Sequence, residues 1–145
     1  MYFVDREKIE ETLIYFEKNL ALFLEQEGWK TEIEKNALER LAHMMIESVL
    51  DTGNAIIDGF IMRDPGSYED IIDIMLDEKV VIETEAEALK DVIRFRKVLV
   101  QEYLIIDHKK LSDSFVKQSD VLKNFPDRVR SYLENELGPV SAFRH

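Results

Sequence analysis

Cysteine is missing altogether from this chain of 145 residues, and with it go disulfide frameworks, thiolate catalysis and cysteine-bound zinc. Glycine and proline are scarce, at five and three residues, which leaves little room for the turns of a β-rich fold. No run approaches the ~18 apolar residues of a membrane span. The start, Met1-Tyr-Phe-Val-Asp-Arg-Glu, lacks the basic and apolar blocks of a signal peptide. A soluble, cytoplasmic protein with no membrane partner is therefore the expectation. Positive charge is in deficit as well, since 19 Lys and Arg face 30 Asp and Glu for a formal charge of −11. That balance disfavours broad, non-specific nucleic-acid binding, which needs a positive footprint to displace counterions. Any nucleic-acid contact has to be local, in a cleft or where two subunits meet. Glycine-rich phosphate loops and Gly-x-Ser-x-Gly elbows are absent. Histidine is limited to three residues, one of them the last, so a multi-histidine metal site has few candidates.

What is present reads as helix. With 46% hydrophobic residues and an interspersed 34% charged fraction, the composition is globular rather than disordered, and long Glu/Lys/Leu/Ile stretches favour helices. A chain of this length buries about two thirds of its unfolded surface in one core, so residues 1–145 are expected to form a single domain. The fold class expected is all-α, an antiparallel bundle of about five to six helices.

In chain order, Asp5 has N-cap chemistry, and Ile9, Leu13, Phe16, Leu20 and Phe23 recur at helical spacing up to Glu27, with Gly28 as the stop. Thr31-Glu-Ile-Glu34 has the form of a capping box and opens a long helix to about Phe60. That helix is apolar over most of its circumference and belongs at the centre of a bundle. Gly53 inside it implies close backbone approach or a local bend. Met62–Gly66 is a turn, and Ser67-Tyr-Glu-Asp70 caps a short helix through Leu76. Val80-Val81-Ile82 reads as an extended connector with no second strand to pair with. Thr84-Glu-Ala-Glu87 is a further capping box, and the helix it launches should fade near Ile106. Asp107 can cap the next segment, and Ser119 begins a last helix, kinked at Pro126 and stopped by Gly138-Pro139, with 139–145 a loose tail.

Two features stand out from this scaffold. Leu89, Val92, Arg96, Leu99, Tyr103 and Ile106 form a seam at steps of three and four, and Arg96 is a charge in an apolar position. On an ideal helix Tyr103 falls within about 20° of Arg96. Arg94 and Lys97 make the spot locally basic in an acidic protein. An interhelical salt bridge beside a core tyrosine and a polar cleft both satisfy this pattern. The second feature is a polar stripe on the central helix, Arg40, His43, Glu47, Asp51, Asn54 and Asp58, which is either its solvated edge or the lining of a groove. His43, Glu47 and Asp51 at i, i+4 and i+8 have the spacing to begin a divalent-metal site, although a carboxylate-rich helix also yields that spacing by chance.

The order of these parts is recognisable. The long second helix, Asp51-Thr-Gly-Asn54, Gly59-Phe60, the Arg63-Asp-Pro-Gly-Ser-Tyr68 turn, and Phe95-Arg-Lys-Val-Leu-Val-Gln-Glu-Tyr103 followed by Asp107 resemble the HepT-like family of the HEPN superfamily. The resemblance runs from about Asp5 to Leu137. It implies an all-helical homodimer, here through the second and fourth helices, and many such proteins are ribonuclease toxins whose antitoxin is a small nucleotidyltransferase. The family signature, Arg-x-x-x-x-His-x-Tyr, places its arginine on Arg96 and its tyrosine on Tyr103, while Gln101 stands at the histidine position.

The implied chemistry needs no metal and no cofactor. Histidine and arginine assist attack of an RNA 2′-hydroxyl on the adjacent phosphate, because imidazole shuttles protons near neutral pH and guanidinium stabilises phosphorane charge. Glutamine hydrogen-bonds but does not titrate, so Gln101 predicts impaired cleavage unless His43 or His108 stands in. Arg94 and Lys97 are the candidate substrate contacts, with His43, Glu47, Asp51 and Asn54 in support. The resemblance also makes Tyr103 the site of adenylate attachment by the partner enzyme. Two rivals remain: a catalytically silent homodimer that binds RNA, a nucleotide or a protein partner, and a metal-dependent hydrolase built on His43, Glu47 and Asp51.

Overall fold

The structure, a computed structural model, describes residues 4–138; the tail expected at 139–145 lies outside the described residues. Seven α-helices follow one another: α1 (Arg6–Glu25), α2 (Glu32–Gly59), α3 (Tyr68–Asp77), α4 (Glu83–Ile93), α5 (Phe95–Val100), α6 (His108–Lys117) and α7 (Ser119–Leu137), with a 3-10 turn at Tyr103–Ile105. Only Arg94 separates α4 from α5 and only Gln118 separates α6 from α7. The fold is all-α, as expected, and no strand occurs among the described residues.

α2 is the central element and packs against α1, α3, α5 and α6. Leu38, Ala42, Met45, Ile46, Val49, Leu50, Ile56 and Ile57 are all buried along it, a breadth of apolar surface that one neighbouring helix is too narrow to cover. Its start is the capping box read from sequence, with Glu34 N–H donating to Thr31 Oγ1 at 3.1 Å and Thr31 N–H donating to Glu34 Oε1 at 2.9 Å. Gly53 is where α3 crosses: an added Cβ there collides with Ile71 Cγ2 and comes within 3.1 Å of Met75 Cε. Aromatic pairs join the remaining elements around this helix, Phe16 with Phe125 at 5.8 Å, Phe23 with Phe115 at 5.8 Å and Phe95 with Phe115 at 6.4 Å between centroids. Arg130 of α7 forks onto Glu10 and Glu17 of α1 at 2.8 Å each, closing the bundle on the far side.

The ends of α2 and α3 set up the site. Ile61, at φ 56, takes the left-handed position past the end of α2, and Met62 N–H reaches back to Ile57 O at 2.9 Å. Glycine usually fills that position. The turn it makes delivers Arg63 to Asp70, which it grips through two bonds of 2.6 and 2.8 Å. Ser67 Oγ accepts from Asp70 N–H at 3.0 Å, as expected of an N-cap, so the first turn of α3 is fixed at both edges.

Two sequence expectations are corrected. The helix after the Val80–Ile82 connector starts at Glu83, with Ile82 as the N-cap. Thr84 therefore lies inside the first turn, and the reciprocal bond comes from Glu85, whose Oε1 accepts from Ile82 N–H at 3.0 Å. Packing decides this, because Glu85 is buried and also accepts from Asn124 and Arg128 of α7 at 2.7 and 3.0 Å. The same helix breaks at Arg94 and ends at Val100, six residues short of Ile106. Ile106 is extended, at φ −71 and ψ 124, because the chain must unwind there for Asp107 to cap α6, where Asp107 Oδ1 accepts from Lys110 N–H at 3.0 Å.

Candidate functional site

The site is built where α5 lies across the middle of α2. Arg96 is carried by the six residues of α5, none of which is fully buried. Its Nε donates to Glu47 Oε1 on α2 at 2.6 Å, so the charge in the apolar seam is paired across two helices. The same carboxylate oxygen binds His43 Nε2 at 3.2 Å. On its other side the Arg96 guanidinium lies 4.3 Å from the centre of the Tyr68 ring, a cation–π distance. A guanidinium held by one carboxylate and one aromatic face is pre-organised.

Around it opens a cleft of about 670 Å³, lined by Ser67, Tyr68, Glu69, Ile93, Arg94, Arg96, Lys97 and Gln101. Three cations and one carboxylate line it, which makes it locally positive although the chain carries −11. Arg94 is partly engaged, donating to Glu69 at 2.9 and 3.2 Å and to Asp91 at 2.9 Å. The hydrogen bonds from Arg94 hold the Glu69 carboxyl below its ordinary range. Lys97 is mostly exposed, with Glu102 no nearer than 3.9 Å, and is the most available of the three cations.

The expectation that Tyr103 stands on one continuous helix with Arg96 is not met. It assumed a helix through Ile106, but Tyr103 stands in the 3-10 turn after α5 and is 63% exposed. Leu104 and Ile105 beside it are 88% and 75% exposed, so among the described residues this turn presents an apolar surface that is largely uncovered. Gln101 does line the cleft with Arg96, Arg94 and Lys97.

The polar stripe of α2 divides between two environments. Glu47, Asp51 and Asn54 line a groove of about 500 Å³ against α1, opposite Lys8, Glu11, Thr12 and Tyr15. Burial, reinforced by the charge of Glu47, pushes the Asp51 carboxyl up, against the pull of Lys8 and Arg96. Among the described residues His43 bonds to Glu47 alone. His108, at the start of α6, bonds instead to Glu39 Oε2 at 2.7 Å, two helical turns before Glu47. No group of three or more His, Asp or Glu among the described residues is placed to hold a metal ion, and Glu47 is already engaged by Arg96 and His43, so the spacing of His43, Glu47 and Asp51 does not form the cage that the metal rival needs.

Sequence reasoning missed three participants. Tyr68 reads in the sequence only as part of a turn and a helix cap, and nothing local announces that it lies beneath an arginine 28 positions later. Glu69, the partner of Arg94, is equally remote in the chain. Glu39 did carry a signal, because it extends the row His43, Glu47, Asp51 by one i, i+4 step.

A model of a family described as Ribonuclease HepT-like matches residues 4–129. A Bacillus subtilis (strain 168) protein named "Putative RNase YutE" is 58% identical over 144 residues, covering 99% of this chain and 100% of that protein. A solved structure of the cytosolic protein YutE from Bacillus subtilis superposes with a TM-score of 0.95 at 59% identity, over 99% of this chain and 100% of that one.

Proposed function

The chain belongs to the HepT-like ribonuclease family, and we propose from that premise that it cleaves single-stranded segments of RNA, tRNA or mRNA, in the cleft lined by Arg96. The observation that carries this reading is the fixed guanidinium: Arg96 is held by Glu47 at 2.6 Å and by the Tyr68 ring at 4.3 Å, beside Arg94, Lys97 and Gln101. A planar guanidinium with donors left over suits a phosphate that gains charge in the transition state. Arg94 and Lys97 attract the neighbouring phosphates, and Gln101 offers hydrogen bonds to sugar or base. The local positive cleft meets the requirement set by a chain of −11, that contact with RNA be confined.

The exposed Tyr103, Leu104 and Ile105 support a second copy as the cover of this turn, which brings two clefts together about a two-fold axis. A nucleotidyltransferase antitoxin, and adenylylation of the accessible Tyr103 hydroxyl by it, belong to the same proposal. A charged group there repels phosphate from the mouth of the cleft. A cytoplasmic location agrees with the cytosolic relative and with the absence, among the described residues, of a helix long and apolar enough to cross a membrane.

The test is RNA cleavage by the purified protein, with EDTA present, beside Arg96→Ala. Cleavage by the wild type that Arg96→Ala abolishes is the expected result. If the wild type leaves tRNA and mRNA intact but binds them through Arg96, the second reading takes over, that of a silent RNA-binding module, and Gln101 in the signature is the observation that favours it.

A further inference from the structure

We propose that His43 is the proton-transfer group of this cleft, accepting the proton of the attacking RNA 2′-hydroxyl. The inference rests on the ribonuclease reading and assigns the one role which that reading leaves without a residue.

Three observations carry it. First, His43 and Arg96 are joined by a single atom, because Glu47 Oε1 binds His43 Nε2 at 3.2 Å and Arg96 Nε at 2.6 Å. Imidazole, carboxylate and guanidinium thus form one cluster contributed by α2 and α5, although the first and last are 53 positions apart. Second, the carboxylate is an acceptor only, so it draws the proton of the neutral ring to Nε2 and leaves the Nδ1 lone pair as an acceptor. No group among the described residues occupies Nδ1, and the side chain is 30% exposed to solvent; His43 stands beside the cleft rather than in its lining, reached through Glu47 and Arg96. Third, the other candidates fail on chemistry or place. Gln101 lines the cleft but has no titratable group. His108 is bound to Glu39, and Glu39 lies eight residues before Glu47, roughly 12 Å along the helix axis at the α-helical rise.

On the helix of His43 stand Glu39, already bound to His108 of α6, together with Arg40 and Glu47. From α5 comes Arg96, and from α1 Lys8 and Glu11 flank the groove that Glu47 shares. On α3, Glu69 and Asp70 are taken up by Arg94 and Arg63. Among the described residues Glu47 is thus the one carboxylate hydrogen-bonded to the ring, and it stays beside the imidazole once the proton has been taken.

The step balances as a transesterification. The 2′-oxygen forms a bond to phosphorus and its proton passes to Nδ1 of His43. The bond from phosphorus to the 5′-oxygen breaks, with its electron pair going to that oxygen, which takes a proton from water. The products are a 2′,3′-cyclic phosphate and a 5′-hydroxyl, and the imidazolium returns its proton to solvent. Arg96 faces the non-bridging oxygens as their charge grows.

Cleavage of a single-stranded RNA is measured across pH for wild type, His43→Gln, Arg96→Ala and His43→Gln with Gln101→His, alongside binding of the same sequence as 2′-O-methyl RNA, which has no attacking hydroxyl. The expected result is that His43→Gln lowers kcat by ~10²–10⁴-fold, removes the fall in rate toward acid pH, and leaves binding of the 2′-O-methyl strand unchanged. The double variant recovers turnover, because an imidazole enters the cleft from α5. If His43→Gln cleaves at the wild-type rate with the wild-type pH profile while Arg96→Ala is inactive, the assignment of His43 is wrong and the ribonuclease reading stands. If the wild type itself never cleaves RNA, both fall together.

Discussion

Arg96 and Glu47, 49 positions apart in the chain, share a hydrogen bond of 2.6 Å between side chains that are each about a quarter exposed. This pair fixes α5 on α2 and so fixes the mouth of the cleft. Partial burial makes the interaction worth more than a surface ion pair, and a lone half-buried guanidinium has to find water or another acid. Glu47→Ala should therefore destabilise the fold by about 1–2 kcal/mol, read as a lower urea midpoint. It should also weaken RNA binding through Arg96, while Glu47→Gln, which keeps an acceptor, loses less of both.

Gly53 offers a test of packing against propensity. Alanine gains ~1 kcal/mol of helix propensity over glycine. The new Cβ, however, meets Ile71 Cγ2 and Met75 Cε across the crossing of α2 and α3, and Ile71 is buried and stiff at χ1. Overpacking of this kind costs roughly 1–3 kcal/mol. Gly53→Ala is expected to lower stability despite the gain in propensity, and an unchanged or higher denaturation midpoint contradicts the close approach.

Asp51 gives a pH dependence of known sign. Its carboxyl is raised by burial and by the nearby charge of Glu47, so its ionisation opposes folding: the favourable contribution is present below its unfolded value and is lost as pH rises through the folded one. Asp51→Asn should raise the thermal midpoint at neutral pH and leave it unchanged well below the ordinary carboxylate range. Glu85 and Asp70 work the other way. Burial alone raises the Glu85 carboxyl, but Ile82 N–H, Arg128 and Asn124 together outweigh it and bring it down. Arg63 and the Gly66 N–H bring Asp70 to about 2. Their contributions are present above the unfolded carboxylate range and fade as pH falls through these depressed values.

Thr52 is buried on α2, and its hydroxyl is the only buried side-chain polar atom found without a hydrogen-bond partner among the described residues. An unsatisfied hydroxyl of this kind costs about 1–3 kcal/mol in desolvation. Thr52→Val keeps the shape and removes the hydroxyl, so the variant should be more stable by calorimetry; a loss of stability means that the hydroxyl is bonded in solution.

The apolar turn at Tyr103–Ile105 tests the proposed dimer. Leu104→Glu places a charge on the most exposed large hydrophobic residue of the described chain. Sedimentation should show the wild type as a dimer and this variant as a monomer with unchanged helical content. A wild type that sediments as a monomer at high concentration removes the dimer from the proposal.

Much of this arrangement was legible because its causes are local. The Thr31 box, the Ser67 and Asp107 caps and the central burial of α2 follow from side chains within a turn or two of the backbone they satisfy. Gly53 was legible for a similar reason, since glycine within an apolar helix needs a neighbour to justify it. The pairing of Arg96 was legible as a need but not as a partner, because Glu47 lies 49 positions away. The end of α5 was misread for a physical reason. The seam spacing continues to Ile106, but helices of this length depend on tertiary cover, and just past Val100 Tyr103, Leu104 and Ile105 are exposed.

The one-residue break at Arg94 separates α5 from the well-anchored α4, which buries Leu89, Val92 and Ile93, whereas α5 buries no residue fully. Arg96 therefore rides on the least insulated helical segment of the bundle. Local opening scales with the apolar contact an element would lose, so α5 should detach and reseat many times for each global unfolding of α2, and its amides should exchange with solvent far sooner. Arg96 thus sits where a local opening of six residues changes the mouth of the cleft with the core of the protein left undisturbed.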